Sequence, residues 1–487
     1  MEASTRKGKC ILLARVLLFL LLASFLLSIA GYVLEPKSPL SAAFYAEPAN
    51  TVDVLFVGGS HSAAAFDPIQ LWEQQGFTGY NFYSWAQPAW ATYHYVVEAL
   101  KTQSPRVVVA EAFAFLYGRS YLAEENFDSV SDDFSLQIRP GANRLALAAA
   151  MSRWQQNSRP LYRYNSLLRY HARWASLTAA DFTWPFIDHY TSGKGFGPVY
   201  THKAFAPQQP PPMTEAQSLY PGCEMYLQKL IELSQKENFQ LVLAMAPYVI
   251  ETAEEWGVIQ SIREICTAAG VSFLDYNSPA LVRQSGLSMA ADMGEHAHVN
   301  QYGAAKITEH IGRYLAENFA LEDRRAQPEF SYWHEAAAVE SWDRTKMQLR
   351  LSPTAAEWLP RLANPRFSAV IVLGDMSAPG DDTPLREGLA FFGVDPAVLQ
   401  GSLILVLQGG EVTLLEASDT PLLAEIQLAG HTFKLVSGGG CPEIWMDGQQ
   451  RALPYTGLHA LVLDNASGEL VQRVAFLPQE GCATRTD

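Results

Sequence analysis

The chain has 487 residues, 48% of them hydrophobic and 17% charged, and its 35 Lys and Arg residues stand against 50 Asp and Glu residues, a formal net charge of −15. This composition excludes an intrinsically disordered or fibrous protein. The acidic balance argues against nucleic acid as a partner, because phosphate backbones require basic surfaces. At roughly 100–200 residues per domain, the length predicts two or three domains.

The first 35 residues differ from the rest in charge and in hydropathy. They contain four basic and two acidic residues, so the remaining chain has 31 basic and 48 acidic residues. Residues 16–34 carry no charge and can cross about 30 Å of hydrocarbon as a helix. We therefore expect residues 1–35 to form a cytoplasmic basic flank and a transmembrane anchor, with the bulk of a single-pass cell-membrane protein on the extracytoplasmic side. The alternative is a signal peptide cleaved near Ala30.

Five cysteines do not make a disulfide framework in a chain of this length. Cys223 with Cys266, and Cys441 with Cys482, are candidate pairs in an oxidising exterior, but four cysteines allow three connectivities. No Cys or His spacing typical of a structural zinc site occurs. We predict neither a metal nor another cofactor.

From residue 50 to residue 322, short apolar runs alternate with amphipathic stretches. This alternation predicts a parallel sheet with helices on both faces. In such sheets ligands bind beyond the carboxyl ends of the strands, so the turn after the first strand is the first candidate for a site. The predicted strands are 52–57, 80–82, 106–110, 240–244 and 271–274, and the predicted helices are 63–74, 93–102, 223–237 and 252–269.

An insertion, residues 128–213, interrupts this pattern and reverses the local charge. One interpretation is a lid or cradle for an anionic or glycan partner, or for lipid head groups near the anchor. The other is a helical surface covered by arginine stems and aromatic rings. We expect substrate choice to be made in this insertion. Its arginines, with no acidic residue between them, and the aromatic residues among them are Arg153, Trp154, Arg159, Tyr162, Arg163, Tyr164, Arg169, Tyr170, Arg173 and Trp174.

Residues 335–478 have a different pattern, with β-rich runs between Gly and Asp turns. We expect a mixed α+β domain without an evident catalytic set. The predicted strands are 367–373, 402–407, 411–415, 432–436 and 458–463, and the predicted helix is 383–392.

Ser60 stands at the turn between the first predicted strand and the following helix, after Gly58 and Gly59. Two glycines permit a tight turn and bring backbone N–H groups close to a ligand. A serine there presents its hydroxyl as a nucleophile beside oxyanion donors. By itself the Gly-Gly-Ser triplet is a common turn.

A histidine loop strengthens the catalytic interpretation. His298 lies just before the last predicted helix of this domain, and Glu295 precedes it by three residues. In that arrangement His298 takes the serine proton, and the carboxylate fixes the tautomer and stabilises the imidazolium. Asp292 is the alternative acid. The competing interpretation of His296 and His298 as a metal pair lacks a third ligand nearby.

The stretch Gly58-Gly59-Ser60-His61-Ser62, together with the Glu-x-x-His-Val-Asn-x-x-Gly-Ala pattern near the end of the domain, resembles the SGNH/GDSL hydrolase superfamily. The closer resemblance is to a membrane-anchored extracytoplasmic bacterial branch, related in layout to the D-alanyl transfer and alginate O-acetylation proteins. It covers about residues 50–320 and implies a flavodoxin-like α/β fold. It also implies Ser60, His298 and Glu295 as catalytic residues, with Glu295 in place of the family's usual aspartate.

The sequence departs from the family's pattern at the oxyanion donors. The second family block has no glycine here, and the third block's asparagine is not visible after the strand at 106–110. The residues expected to bind the oxyanion or the substrate instead are Gly59, Asn81, Ala86 and Gln87. His61 is expected to point away from Ser60 on the new helix.

Residues 365–477 resemble the interleukin-like epithelial-to-mesenchymal transition inducer (ILEI) domain in strands and turns such as Ile444-Trp445-Met446-Asp447-Gly448, which implies a binding or structural module. Together, the resemblances imply a serine esterase or O-acyltransferase that forms an acyl-serine intermediate. Its expected partners are a cell-envelope glycan or acyl-carrying polymer, the membrane, and a membrane-bound O-acyltransferase. The alternative is a non-catalytic envelope scaffold or glycan-binding protein built on a degenerate hydrolase fold.

Overall fold

The computed structural model of the chain describes residues 2–117, 131, 133–155, 160–211, 215–374, 383–394, 401–438, 440–476 and 483–485. The chain divides into two units, Met1–Glu340 and Ser341–Asp487. The boundary falls inside a long helix, whereas the sequence pattern placed it in the polar stretch before residue 335.

The chain begins with helix α1, Glu2–Leu34. Its segment Ile11–Leu34 is 24 residues long and apolar enough to span a membrane, and its most apolar part is not buried by the rest of the chain. At 1.5 Å per residue, this segment is about 36 Å long, which exceeds the hydrocarbon thickness of about 30 Å. The expected apolar N-terminal helix is therefore present.

The first unit is an α/β fold. Its strands are β1 (Val54–Gly58), β2 (Gly79–Tyr83), β3 (Val107–Glu111), β4 (Gln240–Met245) and β5 (Ser272–Asp275). After α1 its helices are α2 (Pro39–Ala46), α3 (Ser60–Ala65), α4 (Pro68–Gln75), α5 (Ala89–Ala99), α6 (Ala142–Trp154), α7 (Ser166–Tyr170), α8 (Ala179–Thr183), α9 (Pro221–Glu237), α10 (Ala253–Ala269), α11 (Pro279–Ser285) and α12 (Gln301–Asn318), and α13 (Ser331–Leu351) crosses the boundary between the units.

The strands form one parallel sheet in the order β2-β1-β3-β4-β5. This is the flavodoxin-like order of doubly wound sheets. Leu55 and Val57 of β1 belong to a core with residues of α5, α9 and α10, whereas Val54 and Phe56 belong to a core with residues of α4 and α12. Helices therefore cover both faces, and the strands read as continuous apolar runs for that reason.

The helix expected at 63–74 is two helices. Asp67 accepts hydrogen bonds from the N–H groups of Ile69 and Gln70 (2.9 and 3.1 Å) and caps a new helix that starts at Pro68. Helix α3 is consequently only six residues long and follows directly on β1. Its first residue is Ser60.

The middle of the insertion folds into α6, α7, α8 and short 3₁₀ turns beside the end of α1. Arg173 donates to the carbonyl of Leu34 (2.7 Å) and pairs with Asp181 (2.7 Å), and Arg169 pairs with Asp133 (2.7 Å). These two arginines are bound within the chain.

Cys223 and Cys266 are both free and buried, so the first candidate disulfide is not formed. Burial raises the pKa of each thiol, to about 12 for Cys266. Cys441 is a free, exposed thiol. Cys482 and Arg159 lie outside the described residues.

The second unit contains two antiparallel sheets with helices, which agrees with the expected β-rich α+β domain. Its elements are α14 (Ala355–Arg361), β6 (Phe367–Leu373), α15 (Thr383–Ala390), β7 (Ser402–Gln408), β8 (Glu411–Ser418), β9 (Leu422–Leu428), β10 (His431–Ser437), β11 (Glu443–Met446), β12 (Gln449–Gln450), β13 (Leu458–Asp464), β14 (Leu470–Phe476) and β15 (Ala483–Arg485). The sheet orders are β15-β14-β13-β6-β7-β8 and β12-β11-β10-β9.

The central strands of the larger sheet, β6 and β13, are buried on both faces. Ile371 of β6 lies in a core with Trp358 and Leu389 of the helices, whereas Val372 lies in a core with Phe433 of the smaller sheet. The unit is thus a layer of helices, a six-stranded sheet and a four-stranded sheet.

Candidate active site

Ser60 is placed at the carboxyl end of β1 by a turn that requires glycine. A Cβ atom at Gly58 would lie 2.7 Å from the Cβ of Glu111 and 3.2 Å from that of Ser62. Only a residue without a side chain lets β1, β3 and α3 approach each other this closely. Gly59 then caps α3, and Ser60 is the first helical residue.

His298 connects Ser60 to a carboxylate. Its Nε2 lies 2.7 Å from the Ser60 Oγ, and its Nδ1 is hydrogen-bonded to Oε1 of Glu295. The second oxygen of Glu295 lies 2.9 Å from Nδ1 of His296. The two histidines therefore both bind Glu295, and the imidazole of His298 directs its other nitrogen to the serine. With Nδ1 protonated, Nε2 is the acceptor for the serine proton.

The loop geometry brings Glu295 and His298 together. The carbonyl of His298 accepts hydrogen bonds from the N–H groups of Gly294 (2.9 Å) and Glu295 (3.3 Å), and a β-bridge joins Met293 to Val299. The chain thus reverses within this stretch, and two side chains three residues apart meet on one side of it. The three-residue spacing of Glu295 and His298 predicts their contact only because the chain turns tightly between them.

Asp292, the alternative acid, is bound elsewhere. Its carboxylate lies 2.7 Å from Nζ of Lys306 and accepts the N–H of Ser288 (2.7 Å), and its side chain is only 3% exposed. It fastens the loop to α12, and it does not contact His298. In this structure Glu295 is the acid that orients His298.

The charge of Glu295 is stabilised by the histidines. Burial opposes that charge, but the hydrogen bond from His298 and the charges of His298 and His296 together hold the pKa of Glu295 below its usual value. The carboxylate is therefore ionised at neutral pH. An ionised partner is what a transient imidazolium at His298 requires.

The backbone of Gln87 lies against the serine turn. A Cβ atom at Gly59 would be 3.6 Å from the Gln87 nitrogen, and no acceptor among the described residues binds this N–H. The preceding Ala86 has φ +48°, a left-handed conformation that normally favours glycine. The Ser60 N–H opens α3 and has no partner within the helix. These two N–H groups are the candidate oxyanion donors.

Asn81 does not supply a donor to this site. Its amide nitrogen donates to the carbonyls of Ser62 (2.7 Å) and Phe66 (3.2 Å), and its oxygen accepts the Ser62 hydroxyl (2.7 Å). Both amide hydrogens are therefore used, and the expectation of a substrate-binding role is replaced by a structural one. Asn81 ties β2 to α3 and so helps to hold Ser60 in place.

Two residues close to the site were missed or misplaced by the sequence reasoning. The ring of His61 stacks on Phe113 (3.9 Å between centroids) and lies 4.8 Å from the ring of His298, so it does not point away from the site. Burial, followed by the charges of His298 and His296, holds the pKa of His61 well below its usual value. His61 is thus a neutral ring packed beside the imidazole of His298.

Glu111 occupies the end of β3. It is 1% exposed and accepts the N–H groups of Phe113 (3.1 Å) and Ala246 (3.4 Å). Burial raises the pKa of Glu111 to about 8, against the lowering effect of these two hydrogen bonds. The signal in the sequence was a single acidic residue at the end of an otherwise apolar run.

The last part of the insertion, residues 193–208, borders the site and is called the strap below. It bonds to the helix of Ser60 through Gly197 N–H and the Ala63 carbonyl (3.0 Å), and to the histidine loop through Lys203 N–H and the Met293 carbonyl (3.0 Å). A Cβ atom at Gly294 would lie 2.4 Å from a Val199 methyl group. The strap therefore contacts both the helix of Ser60 and the histidine loop, and this part of the insertion does reach the site.

Comparison with known proteins adds no family assignment. No protein-family model matches the chain, and no curated protein is significantly similar to it.

Proposed function

We propose that the protein is a membrane-anchored extracytoplasmic serine esterase or O-acyltransferase of the SGNH/GDSL type. It acts through an acyl-Ser60 intermediate on acyl groups of a cell-envelope glycan or polymer. The observation that carries this proposal is the continuous hydrogen-bonded chain from Ser60 through His298 to Glu295 at the carboxyl edge of a parallel sheet.

The first half of the reaction transfers the acyl group to the enzyme. Ser60 Oγ attacks the carbonyl carbon of the acyl ester while His298 Nε2 takes the hydroxyl proton. The N–H groups of Ser60 and Gln87 face the oxygen that becomes negative. The ester C–O bond then breaks, and the imidazolium of His298 gives its proton to the departing alcohol oxygen. Glu295 stabilises the imidazolium throughout.

The second half repeats these steps with a different nucleophile. His298 takes a proton from water or from a sugar hydroxyl, whose oxygen attacks the acyl carbon. The bond to Ser60 Oγ breaks, and the proton returns to Ser60 through His298. Water as the nucleophile gives hydrolysis, and a sugar hydroxyl gives transfer. In the second case a membrane-bound O-acyltransferase is a suitable partner to supply the acyl donor.

The membrane location rests on α1. The segment Ile11–Leu34 is long and apolar enough to span a bilayer, and the basic residues before it favour a cytoplasmic N-terminus. The catalytic unit and the second unit then lie on the extracytoplasmic side, where envelope polymers are found.

A specific observation favours a second candidate, a non-catalytic scaffold that binds envelope glycan. Two polar side chains at this edge of the sheet are engaged elsewhere: Asn81 donates only to backbone carbonyls, and Glu111 accepts hydrogen bonds at the end of β3. The catalytic proposal therefore depends on backbone donors alone.

A fluorophosphonate probe separates the two candidates. The full chain in detergent should be labelled, and Ser60→Ala should abolish labelling because the nucleophile is lost. Ser104→Ala is the matched control, since Ser104 is an exposed serine of the same unit that bonds to Asn50, and it should retain labelling. No labelling of the wild type, under conditions that label a known serine esterase, would support the scaffold.

A further inference from the structure

The middle of the insertion exposes large apolar side chains that belong neither to the core nor to the candidate active site. Isolated exposed apolar residues are common, but a group of them in one segment marks an interaction surface. The six residues, called the apolar rim below, are Leu161 (70% exposed), Leu168 (47%), Trp174 (73%), Phe182 (56%), Phe186 (86%) and Ile187 (48%).

The segment that carries the apolar rim is fastened to the end of α1. Gly31 approaches α7 so closely that a Cβ atom there would lie 3.6 Å from the backbone nitrogen of Leu167. Arg144 forms an ion pair with Glu35, and Arg173 donates to the carbonyl of Leu34 (2.7 Å). The segment that carries the apolar rim therefore lies against the carboxyl-terminal end of α1.

The contact continues along α1 into its apolar part. A groove of about 700 Å³ lies between α1 and residues 140–145 and 163–167, and α1 lines it from Leu20 to Tyr32. At about 1.5 Å per residue, the twelve steps from Leu20 to Tyr32 correspond to about 18 Å of rise. If α1 spans a bilayer, residues beside this groove lie at the depth of the lipid head groups and upper acyl chains. Leu145, at the groove, is 55% exposed.

The charge of residues 139–190 also suits a membrane interface. Residues 139–190 contain seven arginines and two acidic residues, in a chain with a net charge of −15. Three of these arginines, Arg144, Arg169 and Arg173, are paired with Glu35, Asp133 and Asp181, so the basic groups that remain for lipid phosphates come from the others. Arg153 lies over the ring of Trp154 (4.7 Å) and Arg169 over that of Tyr170 (5.4 Å). Arginine together with tryptophan and tyrosine is the composition found at membrane–water interfaces, where the basic groups meet lipid phosphates.

We propose that the described residues 140–155 and 160–190 are embedded in the interface of the membrane that α1 spans, with the apolar rim among phospholipid acyl chains and head groups. This rests on the proposed function only in that α1 must be inserted. Such a contact fixes the catalytic unit beside the bilayer, because it adds a second attachment to a single helix. The substrate favoured by this placement is an acyl-carrying polymer at the membrane surface.

Photo-crosslinking tests the lipid contact on the full chain. Phe186 and Trp174 are replaced, one at a time, by the photoreactive amino acid p-benzoylphenylalanine, and the protein is reconstituted into vesicles of phosphatidylcholine and phosphatidylglycerol. Tyr302 on α12, an aromatic residue 53% exposed, receives the same replacement as the matched control. After irradiation, mass spectrometry should find several-fold more lipid adduct at positions 186 and 174 than at position 302.

Three results would overturn the inference. Adducts at 186 and 174 that are no more frequent than at 302 would place the apolar rim in water, and adducts to a second copy of the chain would make it a protein interface. Failure of the wild type to float with the vesicles would remove the inserted helix on which the inference depends. Fluorophosphonate labelling of the same samples reports Ser60 independently, so a failure of the catalytic proposal is seen separately.

Discussion

Two histidine–carboxylate pairs, one in each unit, show why such a pair alone is not a catalytic site. In the first unit, His298 Nδ1 binds Glu295 and Nε2 lies 2.7 Å from the Ser60 hydroxyl. In the second unit, His431 Nδ1 lies 2.6 Å from an Asp447 oxygen, and Nε2 lies 3.0 Å from the carbonyl of Gly468. Both histidines bind a carboxylate through Nδ1, but the groups next to Nε2 differ.

The group next to Nε2 decides what each imidazole ring can do. A carbonyl oxygen only accepts, so Nε2 of His431 must carry a proton, and so must Nδ1 next to its carboxylate. The hydrogen bond to Asp447 is the largest cause that raises the pKa of His431. These two acceptors favour the imidazolium form of His431, and the ring joins Asp447 to Gly468. His298 faces a hydroxyl, which can give up a proton, and therefore has the geometry of a base.

The largest expected effect tests the carboxylate of the first pair. Glu295→Gln should lower the second-order rate constant for fluorophosphonate labelling of Ser60 by roughly 10³- to 10⁴-fold, because the imidazolium loses its charged partner and its tautomer is no longer fixed. Asp292→Asn should leave this rate constant within a few-fold of the wild type. It should instead lower the thermal unfolding midpoint, since Lys306 loses a buried partner.

The reverse result would reassign the acid. If Asp292→Asn abolished labelling while its circular dichroism stayed native, and Glu295→Gln remained reactive, the orientation of His298 would depend on Asp292. His298 and Glu295 would then no longer be the pair that activates Ser60.

How far the sequence predicts this site depends on the range of the interactions. Ser60 was predictable because its turn is local, and so was the pairing of Glu295 with His298. The role of Asn81 was not, because its partners lie 15 and 19 residues away on another element. The direction of His61 depends on Phe113 in a different strand connection, which no local pattern specifies.

The fold follows the same rule. The predicted strand 367–373 has the observed bounds of β6, because a fully buried strand is a continuous apolar run. Strand β9 was missed, since its exposed alternate residues give it a weak apolar signal. Helix 63–74 was predicted as one element, because the apolar periodicity continues across the Asp67-Pro68 break.

Glu111 contrasts with the two histidine-paired carboxylates, because its carboxyl group has no cationic partner among the described residues. No ion pair to Glu111 occurs within the described part of the chain, and burial raises its pKa from 4.5 to about 8. Because this pKa is raised, the contribution of Glu111 to stability is fully present below about pH 4.5 and is lost as the pH rises to about 8. Glu111→Gln should remove this loss. The thermal unfolding midpoint of the variant should therefore rise relative to that of the wild type as the pH increases from 5 to 8. The exposed Glu232→Gln is the control, and equal pH profiles for all three proteins would refute the buried acid.

The smallest expected effect concerns His431. The pKa of His431 is raised above 6.5 and that of Asp447 lowered below 3.8, chiefly by the hydrogen bond between them. The pair therefore stabilises the second unit between these pH values, and its contribution is lost as the pH rises through the raised pKa of His431. Hydrogen exchange at the Thr432 amide, which donates to Asp447 (3.0 Å), reports this locally. His431→Gln should speed exchange at pH 5 and match the wild type at pH 9, with Ser60 labelling unchanged. A slower labelling rate in this variant would mean that the second pair acts on the first site, and the two histidines could no longer be treated as independent.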